Sequence, residues 1–265
     1  MAYIELDELL VELLGHWRRI FGGNLAGAYV QGSFALGGGD RQSDCDWLVA
    51  THGSLTKPQI AQLRDLHDVI PTREGHWWHH LEGSYAPVAE LASVNHLGRK
   101  WLFNDHGHRT LDWDDHCNRA YTRWILREHG ISLTGPAPRS FMPLVSQDLM
   151  RCEAAASLPT LLEDLATWVD IDTIAWGQRY AVVTACRILY TLNTAEVTSK
   201  PDALEWGFRT LEPRWRPLLV QVRDERGLGW DSDRPPRAGE ADAARAFVVD
   251  AVVRAIEQTA PEWYS

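Results

Sequence analysis

The stretch Gln31–Val49, QGSFALGGGDRQSDCDWLV, concentrates residues that could do chemistry. A Gly-Ser pair closes one apolar run, a glycine-rich loop follows, and Asp44-x-Asp46 opens the next apolar run. In a strand, residues two apart point to the same face. Asp44 and Asp46 would therefore present two carboxylates side by side, with Cys45, Trp47 and Val49 on the opposite face. Neighbouring carboxylates repel unless a cation or a proton lies between them, and hard oxygen ligands of this kind suit Mg²⁺ shared with substrate phosphates. Gly32 permits close backbone approach, and the N–H groups of a helix start suit a phosphate. The hydroxyls of Ser33 and Ser43 could bond to the same polyphosphate. Glu82, within HHLEGSYAPV, adds a third carboxylate. A strand there would place Trp78, His80, Glu82 and Ser84 on one face, and Glu82 becomes the candidate to take a proton from an attacking hydroxyl and to join a two-metal cluster.

A histidine cluster lies beside these acids: His76, His79, His80, then His106, His108 and His116. The spacing fits no standard zinc pattern and no cysteine pair accompanies it. It reads as strand and loop histidines beside a cleft, with His80 on the Glu82 face and able to tune that carboxylate.

The elements that must position these groups follow from periodicity. Ile4–Phe21 has helical spacing and is stopped by Gly22, Gly23 and Asn24. Leu25–Gln31 and Cys45–Thr51 read as strands, Pro58–Val69 as a helix with Pro58 in its first turn, and His76–Val88 as a third strand. Asp114–His129 reads as helical, and Gly135-Pro136-Ala137-Pro138 as a break and linker. Beyond it, Val145–Ala156, Pro159–Val169, Trp176–Leu192, Pro201–Leu211 and Ala241–Glu257 all carry a period near 3.6, and Gly227–Gly239 reads as a polar loop. The first part is thus a mixed unit of helices and strands and the second a helical bundle.

Composition narrows the classes. The 265 residues suit one large domain or two small ones. With 26 Lys plus Arg against 36 Asp plus Glu, the formal charge of −10 disfavours nucleic acid as a partner and favours a cationic small molecule. No apolar run reaches membrane-spanning length, and the acidic, amphipathic start MAYIELDELL does not fit a signal peptide. Four scattered cysteines, Cys45, Cys117, Cys152 and Cys186, imply reduced thiols and a cytoplasmic location. The 13 tryptophans would mostly fill cores.

Taken together, Gly32-Ser33, Asp44-x-Asp46 and a strand glutamate at 82 resemble the nucleotidyltransferase fold of the DNA polymerase beta superfamily. Tyr180–Trp206, YAVVTACRILYTLNTAEVTSKPDALEW, resembles the C-terminal helical domain of aminoglycoside adenylyltransferases of the streptomycin/spectinomycin type. Trp101 within GRKWL and Gly135-Pro136 fit the same family. The resemblance covers most of the chain. It implies an α+β protein: a nucleotidyltransferase domain at 1–140, with a mixed β-sheet flanked by helices, and an all-α helical bundle at 141–265 that contributes to nucleotide and acceptor binding.

The resemblance also implies an enzyme that moves AMP from MgATP to a hydroxyl of an aminoglycoside or aminocyclitol, releasing pyrophosphate. Asp44, Asp46 and Glu82 match the ligands of two Mg²⁺ ions, and Glu82 the catalytic base. Gly32, Ser33 and Ser43 match the residues around the ATP phosphates, and Arg187 and Lys200 the basic residues of the helical domain that reach the nucleotide. Trp101, Trp168 and Gln178 fall at acceptor-pocket positions. Streptomycin-modifying members carry an acid on the helix ahead of the matching arginine. Here that position is close to Gly177, so the acceptor is a small cationic hydroxyl compound of open identity, and the protein is expected as a monomer. AMP transfer to a protein is the alternative reaction, which the helical bundle disfavours. A non-catalytic nucleotide-binding module is disfavoured by three converging acids.

Overall fold

A computed structural model describes residues 3–165, 167, 169, 171–228 and 235–259. Helix α1 (Ile4–Phe21) buries Leu6, Leu9, Leu10, Leu13, Leu14 and Trp17 along one face, then ends at Gly22, where φ is 51° and a side chain would be strained. Six strands follow, interleaved with helices: β1 (Leu25–Val30), α2 (Gly32–Ala35), β2 (Cys45–Thr51), α3 (Lys57–Val69), β3 (Leu81–Pro87), α4 (Val88–Leu91), β4 (Trp101–Asn104), β5 (Asp112–Asp114), α5 (Ala120–His129) and β6 (Ile131–Thr134). They form one mixed sheet in the order β5-β4-β3-β2-β1-β6. Only β2 and β3 pair in parallel; the other pairings are antiparallel.

The sheet separates two apolar clusters. Cys45, Trp47 and Val49 of β2 face one, together with α1 and Leu63 of α3. Leu48 and Ala50 face the other, with Trp101, Phe103 and Leu126 of α5. The alternation expected of β2 is therefore present, and it fixes which face carries its carboxylates. An aromatic network fills the first cluster: the indole N–H of Trp17 donates to the Tyr85 hydroxyl at 3.1 Å, and Nε2 of His67 stands 2.8 Å from the same oxygen. Trp47 packs against Trp17, Tyr85 and His67, with ring centroids 4.9–5.9 Å apart.

Several elements differ from expectation. The strand predicted over His76–Val88 starts only at Leu81; His76–His79 is a 3₁₀ turn. Gly75, at φ 118°, turns the chain, and Trp77 is buried against Tyr3 and Phe34 instead of extending. Trp78 and His80 therefore precede the strand that carries Glu82 and Ser84. The helix predicted from Asp114 starts at Ala120, because Asp112–Asp114 is committed to pairing with β4. Strands β4 and β6, four residues each, are too short to show a periodicity. Gly135-Pro136, read as a linker, lies on β1: a Cβ at Gly135 would stand 2.4 Å from the Ala26 carbonyl, and the Tyr29 hydroxyl donates to the Pro136 carbonyl at 2.9 Å.

The chain divides into two compact units, Met1–Val145 and Ser146–Ser265. Within the second, α7 (Ala175–Thr194) packs against α6 (Gln147–Asp164), α8 (Lys200–Thr210), α9 (Arg216–Asp224) and α10 (Glu240–Thr259). Two helices were expected where α6 is one. It runs through Pro159 because Leu158 and Leu161 are held in the unit's core, which offsets the lost backbone hydrogen bond. Among the described residues no helix is long and apolar enough to cross a membrane. Part of the predicted loop Gly227–Gly239 lies outside the described residues.

Candidate active site

Parallel pairing of β2 with β3 sets Asp46 directly opposite Glu82. Neighbours in a parallel ladder share a face, so the two carboxylates project together, on the side of Leu48 and Ala50. Asp44 precedes β2 by one residue and is tied in place by its loop. The N–H of Cys45 donates to the His80 carbonyl at 2.8 Å, clamping the start of β2 to the turn before β3.

Gly32 lies against this group. Its φ is +61°, and a Cβ there would fall 1.9 Å from Oδ2 of Asp46. Only glycine allows the turn after β1 to lie directly under the Asp46 carboxylate. The neighbouring Ser33 hydroxyl is buried with no hydrogen-bond partner among the described residues, as expected of a donor waiting for an acceptor. Ser43 is used differently. Its hydroxyl donates to Oδ1 of Asp40 at 3.0 Å and accepts from the Asp40 N–H at 3.2 Å, closing the loop that delivers Asp44.

Three imidazoles stand against two of these acids. Nδ1 of His106 stands 2.8 Å from Oδ1 of Asp44, and Nδ1 of His80 3.6 Å from the same oxygen. Nε2 of His116 stands 2.9 Å from Oε1 of Glu82. His80 thus addresses Asp44, and the partner of Glu82 is His116, whose ring stacks on Phe103 with centroids 5.3 Å apart. Burial alone would raise the Asp44 pKa, but hydrogen bonds from His106 and His80 outweigh it and hold the carboxyl well below its usual range. His106 is raised by its bond to Asp44 against the opposing effect of burial. Burial would lower His116, but pairing with Glu82, reinforced by Asp46 and Asp114, pushes it up to about 9. The histidine cluster in the sequence contained His106 and His116 without assigning them; their roles depend on which loops the sheet brings back.

The remaining candidates come from other elements of the chain. Trp101 is 2% exposed, with its indole N–H donating to Oε2 of Glu90 at 2.7 Å, so it fills the core and offers no ring to a ligand. Trp168 lies outside the described residues. In the second unit, Arg187 on α7 donates from Nε to the Thr198 carbonyl at 3.3 Å, and Lys200 is the first residue of α8. Gln178 is buried, and its amide donates to the Ile171 carbonyl at 2.8 Å. Gly177 beside it has no room for an acid: a Cβ would stand 2.9 Å from the Val169 carbonyl.

Asp44, Asp46 and Glu82 offer the carboxylate oxygens that a hard dication prefers as ligands.

Residues 150–254 match the family model of the aminoglycoside adenylyltransferase C-terminal domain. An aminoglycoside (3'') (9) adenylyltransferase of Escherichia coli is 32% identical over 123 residues, 46% of this chain and 43% of that protein. This chain therefore spans less than half the length of that relative in the alignment. A spectinomycin 9-adenylyltransferase of Campylobacter jejuni is 23% identical over 83% of this chain and 85% of its own. Among solved structures, a spectinomycin adenyltransferase from Enterococcus faecialis, crystallised with ATP and spectinomycin, superposes with a TM-score of 0.70 over 93% of this chain and 99% of that one, at 14% identity. The last is a likeness of fold, and it extends over both units. Residues 150–254 thus carry the aminoglycoside adenylyltransferase C-terminal domain, and the chain is similar to aminoglycoside and spectinomycin adenylyltransferases.

Proposed function

We propose that the protein transfers AMP from ATP to a hydroxyl of an aminoglycoside or aminocyclitol, releasing pyrophosphate. The observation that carries the reading is the register of Asp46 with Glu82 over the Gly32 turn. It brings Asp46 and Glu82 together beside the Gly32 turn, which supports reading them as a metal ligand and a base next to a turn that takes phosphate. The names of the relatives, aminoglycoside and spectinomycin adenylyltransferases, support the same reaction.

Asp44 and Asp46 would hold Mg²⁺, with Glu82 available to a second ion; bound there, the metal offsets charge on the triphosphate. The turn at Gly32 and the unpartnered Ser33 hydroxyl would accept the phosphates. Glu82 would take the proton of the acceptor hydroxyl as its oxygen attacks the α-phosphorus in line and pyrophosphate leaves. Arg187 and Lys200 are the cations of the second unit assigned to the nucleotide. The first unit is read as the nucleotide domain and the helical unit as a contributor to acceptor binding, with spectinomycin and related aminocyclitols the first acceptors to assay, since Gly177 leaves no space for an acidic side chain.

The test is pyrophosphate release from MgATP across a panel of spectinomycin, streptomycin and other aminoglycosides, for the wild type and Glu82→Gln. Drug-dependent release by the wild type, and a variant that binds ATP but transfers at least ~100-fold more slowly, are expected. Drug-independent behaviour, or an unimpaired Glu82→Gln, overturns the reading.

A further inference from the structure

Asp44, His80 and His106 come from three separate places in the chain: the loop into β2, the turn before β3 and the loop after β4. One ligand atom from each lies within 4.8 Å of the others. Two of the three separations, 2.8 Å and 3.6 Å, bracket the roughly 3.3 Å expected between nitrogen and oxygen ligands about 2.0–2.1 Å from a tetrahedral metal.

The scaffold holds these positions by specific means. His106 has φ +38°, a conformation that a non-glycine residue adopts at some cost. The next residue, Gly107, has φ +68°; its N–H donates to the Leu81 carbonyl at 2.7 Å, and a Cβ there would stand 2.5 Å from the His79 carbonyl. The loop is thereby pressed onto the turn that carries His80. That turn is anchored in its own way, with the His80 carbonyl accepting from Cys45 and the His80 ring stacked on His76 at a centroid distance of 4.2 Å. A strained backbone, a glycine contact and a ring stack all bring imidazoles onto one carboxylate oxygen.

The donor set matters. Mg²⁺ prefers oxygen and retains its waters, whereas imidazole suits zinc, cobalt, nickel and copper. We propose that Asp44, His80 and His106 form a binding site for a first-row transition-metal dication of the Zn²⁺ or Co²⁺ type, with open positions left for solvent. The inference stands on these side chains and not on the transfer reaction. Because Asp44 is common to both, an ion held here would compete with Mg²⁺ for that carboxylate and act as an inhibitor of a Mg²⁺-dependent enzyme.

The experiment is titration of the full chain with Co²⁺ in millimolar Mg²⁺, followed by visible d–d absorption, then displacement by Zn²⁺. One saturable site with cobalt bands is expected, lost to Zn²⁺ and retained against Mg²⁺. His80→Asn and His106→Asn should each weaken binding about 100-fold or more, beyond the ~10–100-fold typical when only an outer partner of a ligand is removed. His108→Asn, whose ring is exposed and faces Asp105, should change nothing. Thermal melts check that the variants fold. If His80→Asn melts early, His106→Asn, on a partly exposed loop, carries the test. Absence of bands, bands unchanged in both variants, or removal of Co²⁺ by Mg²⁺ at equal concentration would overturn the proposal. All of these readouts are independent of AMP transfer, so failure of the metal site and failure of the proposed reaction are separately visible.

Discussion

Nε2 of His116 stands 2.9 Å from Oε1 of Glu82, and the two come from opposite ends of the β3–β4–β5 meander. The glutamate is set by strand register, the histidine by a 3₁₀ turn after β5 in which the His116 N–H donates to Oδ1 of Asp114 at 2.8 Å. If Glu82 is the base, His116 would be a positioning residue that fixes the rotamer from which a hydroxyl proton is taken.

Replacing His116 tests this directly. His116→Ala should lower kcat by about 10–100-fold, the range typical for removing the group that orients a functional ligand, with KM for ATP within about threefold. His116→Gln, able to donate one hydrogen bond without charge, should recover part of the loss. A fall confined to KM, or no difference between the two variants, would show that the imidazole does not orient Glu82.

Gly32 makes a second prediction. At φ +61° with a Cβ destined for Oδ2 of Asp46, Gly32→Ala imposes both backbone strain and displacement of the carboxylate. Destabilisation of about 1–3 kcal/mol and loss of nearly all transfer are expected. Thermal unfolding and pyrophosphate release, measured on the same preparation, separate the two effects; full activity at an unchanged Tm would mean that the close approach is not needed.

How far such relationships were legible depends on their range. Cys45–Thr51 was readable to the residue because its alternation, Trp47 and Val49 against Leu48 and Ala50, is written locally. That Asp46 and Glu82 sit on strands, with Asp44 just ahead of one, was readable for the same reason. The partners of those acids were not. His106 and His116 reach them through β4 and β5, strands of four and three residues whose pairing is set by tertiary contact and not by pattern. Trp101 shows the reverse failure: a family-matched aromatic that looked like a ligand platform lies in the core, because β4 is interior to the sheet. Pro159 misled in a third way, since a helix packed along its length tolerates a proline that an isolated one would not.

His67 gives a prediction for stability against pH. Burial between Trp47 and Tyr85 pushes its pKa down to about 3, from 6.5. The folded state therefore keeps it neutral, while the unfolded chain takes up a proton below pH 6.5. Its contribution is fully present above that pH and is lost as pH falls toward about 3. Between pH 6.5 and 5 the loss is about 2 kcal/mol, at 1.36 kcal/mol per unit. Denaturant melts at pH 7 and pH 5 should show the difference shrink by about that amount in His67→Gln. An identical pH dependence in wild type and variant would place the charged imidazole inside the fold.

Trp101 supplies the prediction that separates core from acceptor site. Its indole N–H bonds to Oε2 of Glu90, whose other oxygen takes a bond from Arg99 at 3.1 Å, and the Arg123 guanidinium lies 5.5 Å from the Trp101 ring. Trp101→Phe keeps most of the volume but leaves that carboxylate oxygen without its indole donor, at a cost of about 1–3 kcal/mol. Trp101→Ala opens a cavity worth about 3–5 kcal/mol. Neither should change KM for the acceptor once the protein is folded, since the ring is 2% exposed. Acceptor KM measured well below each variant's Tm decides the matter. A rise of tenfold or more in Trp101→Phe, with ATP binding intact, would return this tryptophan to the acceptor pocket and require β4 to open toward it.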